Sequence, residues 1–388
     1  MERVYLDNNA TTMVDPKVKQ AMDPYYLQQY GNPNSLHSFG TEVHPEMRIA
    51  LDRLYEGIGA ADQDDIIING CATEGNNTVL KGIWTQRLTE NKPFHLVTSQ
   101  IEHPSIAHTA DWLESMGARV TRLPVNAQGL VTSEILKEHV SHGSADLVSI
   151  MWANNETGLI NPIKELCSAA HELGALFHTD AVQAAGKIPV NVGEIGCDYL
   201  TFSAHKFHGP KGVGGLFAKR GVPSVTLLHG GEQMGGKRAG TVNVAYLVGM
   251  GLAIKLATEA LEYENTKVRA QRDRLEDALM DIPDTIILGR RENRTPNTIL
   301  ISFKGIEGEA FLWDLNTNGI AASTGSACSS EDLEADATLR AMNLGPDLAH
   351  TAVRFTLSRF TTDEEIDYTI ETIRKIVQRL RSISSTYS

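Results

Sequence analysis

Between residues 66 and 218 short apolar runs alternate with helical stretches, and this alternation constrains the fold more than any other feature of the chain. Strands are predicted at 66–69, 95–98, 118–123, 147–152, 176–179, 199–203 and 215–218, and helical segments such as 163–173 separate most of them. Parallel strands need a long crossover between them, usually a helix, so the pattern predicts an α/β fold with a mostly parallel seven-stranded sheet. Ligands of such sheets sit outside the carboxyl ends of the strands, so chemistry should be sought in the residues that follow each strand.

A long helical region over 242–280 starts apolar, becomes charged and leads past Pro283 into a second unit. Strands are predicted there near 297–303 and 352–358, followed by an amphipathic helix. Thr362 and Glu365 have the spacing of a capping box, and Ile366, Ile370, Ile373, Val377 and Leu380 then share one face, which reads as packing. The longest apolar run, 244–254, has 11 residues and two glycines, short of the roughly 20 a spanning helix needs. The N-terminus, MERVYLDNN, has no apolar signal region, and a cytoplasmic location is expected. A formal charge of −13 disfavours nucleic-acid phosphates as partners but leaves a basic protein partner open.

Several strand ends carry polar groups that belong together chemically. The 199–203 run is followed at once by Ala204-His205-Lys206, and a lysine at the mouth of an α/β sheet is placed to bond a carbonyl. It must first lose its proton, which apolar surroundings and nearby positive charge favour. Asp180 ends the preceding strand 26 residues earlier, about one crossover. An aspartate beside a pyridine nitrogen keeps it protonated and makes the ring an electron sink; a helix cap is the plainer reading. Gln183, one turn on, could reach a ring oxygen. Gly70-Cys71-Ala72-Thr73-Glu74-Gly75-Asn76 joins a strand to a helix, where free N–H groups bind anions. His103, in Ile101-Glu102-His103-Pro104, could stack on a flat ring or move protons. Asn155, in the 151–158 segment, could contact ring oxygen or substrate. Each has a plain structural reading; their recurrence at successive strand ends does not.

Four cysteines, Cys71, Cys167, Cys197 and Cys328, are widely spaced without a C-x-x-C pair, so zinc spacing is absent. Cys167 and Cys197 lie in apolar runs and should be inert. Cys328 lies in a Ser/Gly/Ala-rich loop that buries little and should move, which suits a nucleophilic thiolate or an idle surface thiol. Arg354, inside an apolar strand, needs a partner: a substrate carboxylate or a structural ion pair.

Together these motifs resemble the cysteine desulfurases of the NifS/IscS group, fold-type I pyridoxal-phosphate (PLP) enzymes of the class-V aminotransferase family. The resemblance runs from Tyr5–Thr12 and Gly31–Ser35 through the segments above and Arg238–Thr241 to Ser358–Thr361. It implies a large PLP-binding domain at 16–257 and a smaller α+β domain formed by 1–15 and 258–388. It further implies that Lys206 is the Schiff-base lysine, that Asp180 meets the pyridine nitrogen and that Gln183 and Asn155 meet the ring oxygen. His103 is implied to stack on the ring and to act in catalysis. The phosphate is implied among Ala72, Thr73, Ser203, His205 and, from a second subunit, Thr241, which makes a homodimer part of the site. Asn34 and Arg354 resemble the binders of the substrate carboxylate, and Cys328 the persulfide-forming cysteine. The implied reaction converts L-cysteine to L-alanine and passes sulfur to an acceptor such as a NifU/IscU-type iron–sulfur scaffold.

Some positions depart from the family pattern. Gly75 stands where serine is frequent, Ala204 where glycine is frequent, and Val43-His44-Pro45-Glu46 puts proline where a helix more often continues. The longer tail with which IscS proteins meet their scaffold is not expected beyond the last helix, so docking through it is in doubt. Rival readings on the same fold are a selenocysteine lyase or other PLP-dependent lyase, an aminotransferase in which Cys328 is incidental, and a non-catalytic scaffold.

Overall fold

The computed structural model describes residues 3–289, 293–324, 337–342, 344–384 and 387. Its largest sheet has seven strands in the order Asp65–Asn69, Gly214–Ala218, Tyr199–Ser203, Leu176–Asp180, Leu147–Ser149, His95–Ser99, Arg119–Leu123. Only Gly214–Ala218 runs against its neighbours. Asn69, Ser99, Ser149, Asp180 and Ser203 therefore end on one edge. The strands are apolar along most of their length because helices cover both faces. Tyr199–Ser203, for instance, is buried at every position.

The Leu147 strand is assigned over three residues, but its pairing follows the apolar run: Ile150 N donates to the His178 carbonyl at 3.1 Å and Trp152 N to the Asp180 carbonyl at 2.9 Å. Beyond Trp152 the Asn154 side chain builds a tight turn: Oδ1 accepts from Glu156 N, Thr157 N and the Thr157 hydroxyl at 3.0, 2.9 and 3.0 Å. An Asx-type turn of this kind competes with strand pairing.

The region 242–280 is two helices rather than one. Val244–Glu259 is followed, after a 52° bend, by helical chain over Leu261–Met280. Gly251 lets the first helix cross the His44–Ile58 helix, since a Cβ there would sit 2.6 Å from the Ala50 carbonyl oxygen. Among the described residues no single helix is long and apolar enough to cross a membrane. Proline in Val43–Glu46 is also explained: the helix starts at His44, and Pro45 occupies its first turn, where a missing N–H costs nothing.

A second core forms around the antiparallel sheet Ser323–Thr324, Ala352–Thr356, Thr298–Phe303, Thr285–Leu288. The Asp363–Ile383 helix covers it with Ile366, Ile373, Val377 and Leu380, and its capping box at Thr362 and Glu365 is complete. Asn9, 2% exposed, ties the two cores together. Its Nδ2 donates to the Asn155 carbonyl and to Thr298 Oγ1, both at 3.0 Å.

Candidate active site

The strand ends surround a cavity of about 360 Å³. Lys206 follows Tyr199–Ser203 on a single 3-10 turn, and its Nζ donates to the carbonyls of Asn9 at 2.5 Å and Ala10 at 2.9 Å. Asp180, ending the adjacent parallel strand, is 5% exposed. Its Oδ1 accepts from Val182 N at 3.0 Å and its Oδ2 from Asn76 Nδ2 at 2.8 Å. The carboxylate is thus held from both sides while still lining the cavity.

Asn76 extends this hold to the histidine. The same Nδ2 donates to Ser105 Oγ at 2.8 Å, and Ser105 Oγ lies 2.8 Å from His103 Nδ1. Because Ser105 N also donates to Nδ1, at 3.1 Å, that nitrogen is an acceptor, and the neutral ring carries its proton on Nε2. Burial, helped by the Lys206 charge, keeps the His103 pKa below its usual value, although Asp180 pulls the other way. His103 is therefore neutral at pH 7. His205 is also neutral, pushed down to about 4 by burial and then by Lys206, Lys211 and Lys187.

Ala72 and Thr73 open an 18-residue helix whose N-cap, Cys71, makes no side-chain cap bond, and both line the cavity with Ser203 and His205. Gly75 is needed for this approach: a Cβ there would fall 2.8 Å from Thr201 Cγ2 on the neighbouring strand. A serine at 75 would therefore require Thr201 to shift.

Arg354 takes the second of its two predicted partners. It is 4% exposed and pairs with Glu156 at 2.7 Å and Asp7 at 3.0 Å. Asn155 lines the cavity and spends its Nδ2 on Glu156 Oε1, 2.5 Å away. Gln183 also lines it. Asn34 does not: it sits exposed on a loop, its N–H bound to Asn32 Oδ1 at 3.0 Å. Thr241 lines a different pocket, of about 200 Å³, beside Arg238 and Gly70. Cys328 lies outside the described residues. Of the other cysteines, Cys71 is exposed on the cavity wall while Cys167 and Cys197 are buried, and burial pushes the Cys167 thiol up to about 12.

Asn9, Asn76, Ser105, Glu156 and Lys187 are site residues that motif reading passes over. Asn76 was within reach, because it sits one turn beyond Ala72 and shares its helix face.

A flat pyridine aldehyde bearing a phosphate fits this donor set. Ser203 Oγ is buried in the cavity wall without a hydrogen-bond partner, beside a helix start suited to an anion. Asp180 supplies an acceptor for a ring N–H, and Lys206 supplies an amine.

The model of the aminotransferase class-V family matches residues 4–369. A cysteine desulfurase NifS of Azotobacter vinelandii is 44% identical over 390 residues, covering 100% of this chain and 96% of that protein. A cysteine desulfurase of Gluconacetobacter diazotrophicus is 45% identical over 386 residues, covering 99% and 96%. Among solved structures, a NifS-like protein superposes with a TM-score of 0.90 at 36% identity, covering 98% of this chain and 100% of that one.

Proposed function

The chain belongs to the class-V aminotransferase family and is a PLP-dependent cysteine desulfurase, and from that premise we propose a role for each residue of the cavity. The observation that carries the assignment of roles is the meeting of Lys206 and Asp180 at adjacent strand ends in one cavity.

Lys206 would hold the cofactor aldehyde, Asp180 the pyridine nitrogen, and Ala72, Thr73, Ser203 and His205 the phosphate. Asn155 and Gln183 would hold the ring oxygen. When bound, the cofactor supplies an electron-withdrawing ring that acidifies the Cα–H of the cysteine linked to it. The Lys206 amine, displaced by substrate, removes that proton. His103 would lie over the ring, with its own proton at Nε2. The Cys328 thiolate attacks the substrate sulfur; an S–S bond forms, the Cβ–S bond breaks with its electron pair left on carbon, and protonation gives alanine. Arg354 would receive the substrate carboxylate by exchanging one of its two carboxylate contacts.

The finer reading is a cytoplasmic homodimer that hands sulfur to a NifU/IscU-type scaffold. Its support is the position of Thr241 outside its own subunit's cavity and the exposure of Leu27, Tyr30 and Leu36 on one segment. Light scattering tests the dimer.

The roles are tested by Lys206→Ala and Cys328→Ala, assayed for alanine and sulfide from cysteine. Both variants should lose sulfur release, and Lys206→Ala should also escape borohydride labelling with PLP. Full sulfur release by Cys328→Ala would sink the persulfide assignment.

A further inference from the structure

Lys187 is a buried lysine beside the site that the mechanism above does not use. It lies one turn beyond Gln183 and is 5% exposed. Its Nζ donates to Gln183 Oε1 at 2.5 Å and to Asn9 Oδ1 at 2.8 Å. Gln183 Nε2 in turn donates to the Asn9 carbonyl at 3.0 Å, the same oxygen that receives Lys206 Nζ at 2.5 Å. Lys187, Gln183, Asn9 and Lys206 are thus linked by hydrogen bonds beside the cavity.

The chemistry of an amide gives this set a consequence. Gln183 can face either way, because its oxygen and nitrogen ends have nearly the same shape. Only one orientation satisfies a lysine at 2.5 Å: Oε1 must meet the nitrogen that donates, which leaves an Nε2–H for anything else the side chain binds. We propose that Lys187 is a positioning residue that locks the Gln183 amide, so that Gln183 offers the cofactor's ring oxygen a donor and never a lone pair. This rests on the PLP reading above and adds to it a residue that touches neither cofactor nor substrate.

The surroundings suit the role. Groups that face Lys187 electrostatically are Lys206, Glu264, Arg354, His205 and His208. Burial first, then Lys206, lowers Lys187 to about 7, with Glu264 opposing and Arg354 adding. An amine still carries N–H donors, so the lock holds on either side of that pH.

The test uses the PLP-loaded protein without substrate and reads the pH midpoint of the cofactor's visible band. Lys187→Met removes the donor at similar length and should raise the midpoint by about one unit, because an ionised ring oxygen loses an oriented donor and a nearby cation. Lys187→Gln keeps a neutral donor and should raise it by less. Gln183→Ala should raise the midpoint in the natural background but add little to Lys187→Met, since coupled residues are not additive. A purely structural lysine would change the melting temperature of the cofactor-free protein and leave all midpoints alike, and that result overturns the proposal. So does an equal Gln183→Ala shift in both backgrounds. If Lys187→Met fails to fold, Lys187→Leu, which also lacks the donor, carries the same comparison. Absence of a titrating band in the unmodified protein would bring down the PLP reading as well, whereas normal titration there with unshifted variants overturns the Lys187 role alone.

Discussion

Acidification should unfold this protein through histidines that are buried neutral, and His178 gives the clearest measure. Its ring is fully buried between Ser149 Oγ, 2.8 Å from Nδ1, and Thr201 Oγ1, 3.0 Å from Nε2. Burial pushes its pKa from 6.5 down to about 3. Between those values the unfolded chain binds a proton that the folded chain refuses, so stability falls as pH falls through 6.5. At pH 5 the unfolded imidazole is 1.5 units below its own pKa of 6.5 while the folded one is still neutral. The loss relative to pH 8 is then about 2 kcal/mol. The folded value hardly enters, because pH 5 lies well above it. In His178→Gln the amide can still reach both hydroxyls but does not titrate. Thermal scans at pH 8 and pH 5 should show a smaller fall for the variant, by about 2–3 °C for a chain of this length. His205 and His208, both pushed down to about 4 mainly by burial, act in the same direction and cancel in the comparison. Parallel pH profiles for the two proteins would refute the assignment of His178 as a buried neutral ring.

Other perturbations have equally definite outcomes. Asn76→Ala removes the 2.8 Å bond to the Asp180 carboxylate and should raise the PLP dissociation constant about 10-fold to 100-fold, read by fluorescence titration. Gly75→Ser forces a Cβ to within 2.8 Å of Thr201 Cγ2 and should cost about 1–3 kcal/mol in thermal or urea unfolding. Arg294→Met leaves Glu276 without the guanidinium that now lies 2.5 Å away with both side chains buried, a change worth about 3–5 kcal/mol, and adding Glu276→Leu should return most of it.

Much of the architecture is legible in the sequence because the forces behind it are local or periodic. A parallel strand buried on both faces must be apolar throughout, and each of the seven predicted strands of the sheet is found within a few residues. The Thr362–Glu365 capping box is a short-range hydrogen-bond pattern and forms as written. The 147–152 run pairs as far as Trp152, and the turn beyond it depends on one asparagine accepting three bonds. The helical region over 242–280 is legible, but its division into two helices is not, because periodicity carries no information about a bend at Ala260.

At the site, the sequence by itself determines the chemical inventory: a lysine, an aspartate and an anion-binding turn, each just after a strand. Which of them meet is decided by strand order. Parallel pairing of Leu176–Asp180 with Tyr199–Ser203 brings Asp180 and Lys206 to one edge. The fate of Arg354 is likewise tertiary, since Asp7 and Glu156 reach it from hundreds of residues away. So is the placement of Asn34 outside the cavity. Asn9 shows the reason most plainly: it binds Lys206, Gln183, Lys187, Asn155 and Thr298, and no spacing along the chain encodes contacts that exist only once both cores have packed.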